Sequence, residues 1–148
     1  MRVFEVMTAA VQTAPPTMSA AQARELMRRK RCHHLVVTHG RGVAGILSER
    51  DFKLSAAAAG TAGPAVADLM TTPVVTVAPN DTIRSVANLM RGRTIGCVPV
   101  VERGKLVGIV TVSDLLNTLG GGVDRPAAKS RRTLNFRVPH RKTRRVAW

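Results

Sequence analysis

The chain of 148 residues has few aromatic side chains and only two cysteines. Phe and Trp make up 3% of it and Tyr is absent, so a core must be built from Val, Leu, Ile, Ala and Met. No apolar run approaches the roughly twenty residues that a membrane-spanning helix needs, and the first residues do not resemble a signal peptide. We expect a soluble cytoplasmic protein in which Cys32 and Cys97 are buried free thiols.

Acidic residues are also scarce, and the basic residues are unevenly distributed. The chain has 23 Lys and Arg against nine Asp and Glu, which gives a formal net charge of +14. Residues 125–148 contain nine of the basic residues and no acid, so we expect a separate basic C-terminal tail at 121–148. Its candidate contacts with nucleic acid or a protein partner are Arg131, Arg132, Arg137, Arg141, Lys142, Arg144 and Arg145.

The body of the chain is a duplication. Residues 5–54 return as residues 68–117 with a constant offset of 63, and twelve of the fifty aligned pairs are identical. A unit of about sixty residues is marginal alone, so we expect the two copies to share a core. Two copies also predict a pseudo-symmetric body with ligand sites where they meet. We place the first repeat at 1–58, a linker at 59–65 and the second repeat at 66–120.

Each repeat has the pattern of a β-α-β-β-α unit. The helix of the first repeat begins at Ser19, where Ser19 to Gln22 reads as a capping box. The closing helices begin at Ser48 and Thr111, and the second one is expected to end at Gly120 as a C′ glycine. The predicted extended segments are 11–13, 32–38 and 43–47 in the first repeat and 74–77, 95–101 and 106–110 in the second.

Both repeats end in the same pattern, Gly-apolar-apolar-Ser/Thr-x-x-Asp, at 45–51 and 108–114. The missing side chain at Gly45 and Gly108 is expected to let a ligand approach the strand. Free amides at the helix start favour a phosphate, and the aspartate one turn later can accept two hydrogen bonds from a ribose diol. The same pattern is a helix capping box, so binding and capping both stay open.

The ordered set of motifs, found twice, resembles a tandem pair of CBS domains, often called a Bateman module. The resemblance covers about residues 3–120. It is carried by Met-Thr at each unit start, Leu-Met on each first helix, the strands at 34–37 and 97–101, and the Gly-to-Asp patterns. It implies an α+β fold of two β-α-β-β-α repeats related by a pseudo-twofold axis, with two clefts between them. Such clefts commonly bind AMP, ADP or ATP, and sometimes S-adenosylmethionine or NAD, and the pairs often form homodimers.

The resemblance also implies roles for individual residues. By motif match, Asp51 and Asp114 would hold ribose hydroxyls, and Ser48 and Thr111 would contact phosphate or ribose. Arg50 can neutralise a phosphate, which favours the cleft beside Asp51 for the more highly phosphorylated ligand. The residues expected to sandwich the base are Leu35, Val36, Val98 and Pro99, and His34 is a further candidate for ligand contact.

The chain shows no catalytic set and no P-loop. Cys32, His33 and His34 are adjacent on a predicted strand, where successive side chains point to opposite faces, so we expect no metal site. We expect a regulatory module that is not an enzyme, requires no cofactor and signals to a protein partner in trans. The alternative is a nucleic-acid-binding protein that acts through its basic tail.

Overall fold

The computed structural model describes residues 1–55 and 63–120, which form an α+β fold of two similar units. Residues 59–62 of the predicted linker lie outside the described residues. The basic tail lies outside them as well, including the candidate contact residues from Arg131 to Arg145.

The first repeat has the predicted order of elements. Its two long strands pair antiparallel with a bulge after Val37, and its short first strand pairs parallel through Thr13 and Val36, two residues later than the predicted segment began. These elements are β1 (Thr13–Ala14), α1 (Ala20–Lys30), β2 (His34–His39), β3 (Gly42–Ser48) and α2 (Glu49–Ser55).

The second repeat follows the same plan with two differences. Its predicted first strand at 74–77 contributes only a single parallel bridge, between Val77 and Val100. A short helix at the repeat start was not predicted, and it mirrors a 3-10 turn at Val3–Glu5. The elements are α3 (Val66–Leu69), α4 (Ile83–Arg93), β4 (Cys97–Glu102), β5 (Lys105–Thr111) and α5 (Val112–Leu119).

Side-chain caps explain where the first helix of each repeat begins. Ser19 Oγ accepts a hydrogen bond from the Gln22 N–H at 3.1 Å, which confirms the predicted helix start. Thr82 Oγ1 accepts one from the Ser85 N–H at the same distance and at the equivalent position. The first helix of each repeat therefore begins at the equivalent position of the duplicated sequence.

The ends of the first helices agree between the repeats, whereas the end of the last helix differs from the prediction. Both first helices end in a left-handed residue that is not glycine, with φ of 51° at Arg31 and 54° at Thr94, and these positions differ by 63. The last helix stops at Leu119, as predicted. Gly120 has φ of −73°, so the expectation that it acts as a left-handed C′ glycine is wrong.

The first residues of each repeat pair with the other repeat. Thr8 exchanges two backbone hydrogen bonds with Ile109, at 2.9 and 3.0 Å. Thr71 exchanges two with Ile46, at 2.8 and 3.2 Å. Each hairpin therefore gains a neighbour from the opposite half, because its own edge would otherwise expose unpaired backbone groups.

The cores show the same exchange. Val3, at the start of the chain, is 0% exposed within the core of the second repeat, and Val66 is 0% exposed within the core of the first. A third cluster around Val36, Cys97 and Ile109 joins the repeats. The two units therefore share their interior, as the small size of one unit predicts.

Candidate functional site

The first Gly-to-Asp pattern lies where β3 ends and α2 begins. Asp51 Oδ2 accepts hydrogen bonds from the Ser48 N–H at 2.7 Å and from the Ser48 hydroxyl at 3.1 Å. Both residues are half-buried. Among the described residues both hydrogen bonds to this carboxylate end on Oδ2, so Oδ1 stays available as an acceptor.

The second pattern repeats this geometry at the start of α5. Asp114 Oδ2 accepts hydrogen bonds from the Thr111 N–H at 2.8 Å and from the Thr111 hydroxyl at 3.0 Å. The Asp114 N–H donates back to Thr111 Oγ1 at 3.3 Å. The full capping box is therefore confirmed at Thr111, whereas among the described residues the first repeat shows only the hydrogen bonds from Ser48 to Asp51, and each aspartate keeps acceptor capacity.

The helix starts offer fewer free amides than the sequence suggests. The Glu49 N–H donates to the His33 carbonyl at 3.2 Å, and the Val112 N–H donates to the Gly96 carbonyl at 3.1 Å. The first amide of each closing helix is thus already paired with the carbonyl of the residue that precedes β2 or β4. This first amide is therefore not available to the phosphate that the sequence predicts at the helix start.

An open cleft of about 1080 Å³ lies beside Ser48 and Asp51. Its size suits a small-molecule ligand. Both repeats contribute to its wall, so a molecule inside it would contact both halves of the fold. The lining segments are 33–34 and 48–51 of the first repeat and 73–75 and 94–97 of the second, with Ile46, Thr71, Arg91 and Arg93.

The cleft gathers some of the predicted site residues and leaves others out. His34, Ser48, Arg50 and Asp51 line it. Thr111 and Asp114 line neither this cleft nor a smaller depression of about 390 Å³ at the hairpin turns. The surroundings of the two aspartates are therefore unequal, although each accepts the same two hydrogen bonds from its Ser or Thr.

The two motif glycines serve packing between the repeats. A Cβ on Gly45 would lie 2.5 Å from Met70 Sδ, and one on Gly108 would lie 2.6 Å from Met7 Sδ. Both glycines are buried, and neither lines a described cleft. The prediction that they let a ligand approach the strand is therefore corrected: they make room for the methionine that crosses from the other repeat.

The residues expected to sandwich a base lie behind the cleft wall. They are fully buried in the shared interior, because the strands that carry them are covered on both faces. The structure brings none of them to the cleft, and this corrects their predicted place. The four residues are Leu35, Val36, Val98 and Pro99; the apolar wall consists instead of Ile46, Pro73, Val74, Val75 and Ile95.

Sequence reasoning missed two cations of the site. Arg91 and Arg93, at the end of α4, line the same cleft as Arg50. Arg91 is identical to Arg28 at the offset of 63, so the duplication marked the position as a repeated feature. It gave no sign that the end of the second repeat's helix would line the same cleft as the aspartate of the first.

Burial changes the acid–base chemistry of the cleft wall. Burial lowers the pKa of His34, and His33 acts in the same direction, whereas Asp51 and Glu49 oppose it. Burial also raises the pKa of the Cys97 thiol to about 12. Both groups are therefore largely neutral at pH 7. At the cleft mouth, His33 Nδ1 lies 3.2 Å from Glu49 Oε1 on the surface.

A duplicated fold whose halves share a core and border one cleft defines a tandem-repeat module. In the described residues no helix is long and apolar enough to cross a membrane. The model of the CBS-domain family matches residues 3–56 and 66–121. The chain belongs to the CBS-domain family and contains two copies of the domain.

Relatives of two kinds resemble the chain. It is 32% identical over 114 residues to the CBS domain-containing protein YhcV of Bacillus subtilis, which covers 76% of this chain and 81% of YhcV. It is also 36% identical over 106 residues to inosine-5′-monophosphate dehydrogenase of Korarchaeum cryptofilum, covering 71% of this chain. The chain spans only 21% of that enzyme, so what the match shows is a shared module.

A solved structure has the same architecture. The CBS domain pair of protein MJ0100, solved in complex with 5′-methylthioadenosine and S-adenosyl-L-methionine, superposes with a TM-score of 0.75 at 25% identity. The similarity covers 82% of this chain and 97% of that one. The arrangement of two repeats is therefore that of a CBS pair.

Proposed function

We propose that the chain is a regulatory module that binds an adenosine nucleotide, of the AMP, ADP or ATP type, in the cleft beside Ser48 and Asp51. The observation that carries this proposal is the cleft lining, which contains a half-buried carboxylate and arginines of both repeats. No cofactor and no catalytic step are part of the proposal.

The ribose is assigned to Asp51. Its Oδ2 is held by the backbone N–H and hydroxyl of Ser48, so the carboxylate is fixed in orientation before a ligand arrives. Oδ1 retains two lone pairs, which suit the two adjacent hydroxyls of a ribose. Because a carboxylate is charged, each such hydrogen bond contributes about 1.5–3 kcal/mol.

The phosphates are assigned to the arginines of the cleft. Arg50 comes from α2, whereas Arg91 and Arg93 come from the end of α4. Guanidinium groups match phosphate oxygens with paired hydrogen bonds, and three of them favour a ligand with more than one phosphate. These side chains take the role that the sequence first suggested for the helix amides.

The adenine base is assigned to the apolar part of the wall. Val74 and Val75 are half-buried there, and Pro73 lies beside them. The MJ0100 pair was solved with two ligands that contain adenosine, which supports an adenosine moiety in this chain as well. The common part of those ligands is the nucleoside, so the phosphate preference rests on the arginines alone.

Signalling follows from the position of the cleft at the seam. A ligand that contacts both repeats favours one arrangement of them, and a protein partner that recognises this arrangement then binds more tightly. By linkage the partner raises the affinity for the nucleotide by the same factor.

Calorimetric titration with AMP, ADP, ATP, S-adenosylmethionine and NAD tests the proposal. We expect Asp51→Ala to weaken nucleotide binding about 10- to 100-fold, through the loss of charged hydrogen bonds to the ribose. Asp114→Ala is the matched control, because it removes the same kind of capping hydrogen bonds without lining the cleft. The proposal fails if no ligand binds below about millimolar concentration, or if both variants weaken binding equally.

We propose further that the module forms a homodimer through α5. Val112, Leu116 and Leu119 share one helical face at 44%, 60% and 82% exposure, and no charged residue interrupts this face. Two copies can therefore pack there in spite of the net positive charge of the chain. Sedimentation velocity tests this: Leu116→Glu should yield a monomer, and an unchanged sedimentation coefficient would contradict the interface.

A further inference from the structure

The imidazole of His34 lies at the seam of the two repeats, within the cleft. His34 begins β2, is half-buried and lines the cleft wall. A Cβ built on Gly96, in the second repeat, would lie 3.5 Å from His34 Nε2. The ring is therefore confined between the repeats, beside the space assigned to the nucleotide.

Groups of both signs surround this ring. On its own strand segment His33 precedes it, and α2 contributes Asp51 and Glu49, whose charges favour the protonated form. Burial outweighs these carboxylates, so the ring is neutral in the empty cleft at pH 7. The other titratable or charged residues facing the cleft are Arg50, Arg91, Arg93 and Cys97.

We infer that His34 is a proton-linked ligand contact, which makes the affinity for a phosphorylated ligand depend on pH. This inference rests on the proposed function. An anion that enters the cleft adds negative charge beside a ring that the empty cleft keeps neutral. The bound state therefore favours the imidazolium, and binding takes up a proton on the ring nitrogen.

The direction of the effect follows from this linkage. The pKa of His34 is lowered from 6.5 in the empty cleft, and the bound anion raises it. Between the two pKa values binding takes up a proton, so the affinity falls as the pH rises through this window. Above both values the ring is neutral in both states, and its contribution to binding is absent.

Calorimetry of ATP binding in buffers of different ionisation enthalpy measures the proton uptake. Between about pH 5.5 and about pH 8 we expect the affinity of both proteins for ATP to change. The decrease for the wild type should be about tenfold larger than the decrease for His34→Gln. The comparison removes the titration of ATP itself, which is common to both proteins. His39→Gln is the matched control, because His39 is exposed at the hairpin turn and does not line the cleft.

Titration of the histidine ring signals by NMR gives a second readout on the wild-type chain. Addition of inorganic tripolyphosphate should raise the pKa of His34, whereas the ring signal of His39, which lies outside the cleft, should not move on addition. The inference is overturned if His34 does not respond, or if His34→Gln keeps the wild-type proton uptake and pH profile. If ATP binds to wild type and His34→Gln with the same pH profile, the proposed function survives and this inference alone fails.

Discussion

Replacing Gly45 by alanine tests the packing that holds the two repeats together. A Cβ at this position would lie 2.5 Å from Met70 Sδ, 2.8 Å from its Cγ and 3.0 Å from its Cβ. Non-bonded carbon atoms pack best at about 3.5–4.0 Å. The clash reaches the root of the methionine side chain, so rotation of its tip does not relieve it. Met70 also precedes Thr71, which pairs with Ile46, and this limits any movement of the backbone.

Two opposing terms set the size of the effect. Forcing an extra carbon into a packed site costs about 1–3 kcal/mol. Replacing glycine by alanine also restricts the unfolded chain, which offsets about 0.4–1 kcal/mol of that loss. We expect Gly45→Ala to lower the free energy of unfolding by about 1–2 kcal/mol. For a body of this size the melting temperature should fall by roughly 3–8 °C.

Urea unfolding followed by circular dichroism measures this change. Gly92→Ala is the control, since nothing lies within 4 Å of a Cβ there and alanine favours its helix by about 0.8–1 kcal/mol. The double variant with Met70→Ala should lose less stability than the sum of the single changes, because alanine lacks the sulfur and the Cγ that make the two shortest contacts, at 2.5 and 2.8 Å. Wild-type stability of Gly45→Ala, or strict additivity with Met70→Ala, would refute the exchanged packing.

Two further changes probe the interior. Val66→Ala should lower the free energy of unfolding by about 2 kcal/mol in urea titrations, because Val66 is 0% exposed in the core of the opposite repeat. Phe4→Ala is its control, because Phe4 is 53% exposed and lies outside the proposed dimer face, and equal effects of the two would contradict the shared core. Cys97 should react with iodoacetamide far more slowly than a free thiol at about pH 8, because burial raises its pKa to about 12. Mass spectrometry after timed alkylation checks this, and a rate equal to that of the unfolded chain would show that the thiol is not buried.

Local signals account for most of the predicted elements. The Ser19 cap and the β-rich runs depend on neighbours a few residues away, so the sequence placed them to within about two residues. The strand predicted at 74–77 is wrong for most of its length. Its β-branched residues favour a strand, yet only Val77 pairs with a neighbouring strand. The left-handed conformation predicted for Gly120 is wrong because this helix ends without a left-handed residue.

The sequence likewise predicted some residues of the candidate site and missed others. The Gly-to-Asp pattern located Ser48, Asp51 and the neighbouring Arg50 because all three lie within one helical turn. It could not place Arg91 in the same cleft, because that arrangement depends on how one repeat docks on the other. For the same reason the motif glycines were misread: the methionine that fills the space above Gly45 comes from the other repeat.

The sequence by itself determined that the chain is a duplication, which elements each copy contains and which residues form the repeated carboxylate-and-hydroxyl pair. Those properties follow from period, spacing and identity at the offset of 63, all of which are local or internal to the chain. Only the tertiary structure decided that each copy lends its first residues to the other. It also decided that Asp51, and not Asp114, lines the cleft of about 1080 Å³. The physical reason is that two similar but diverged surfaces must pack face to face, and small differences such as His34 against Cys97 then give unequal walls.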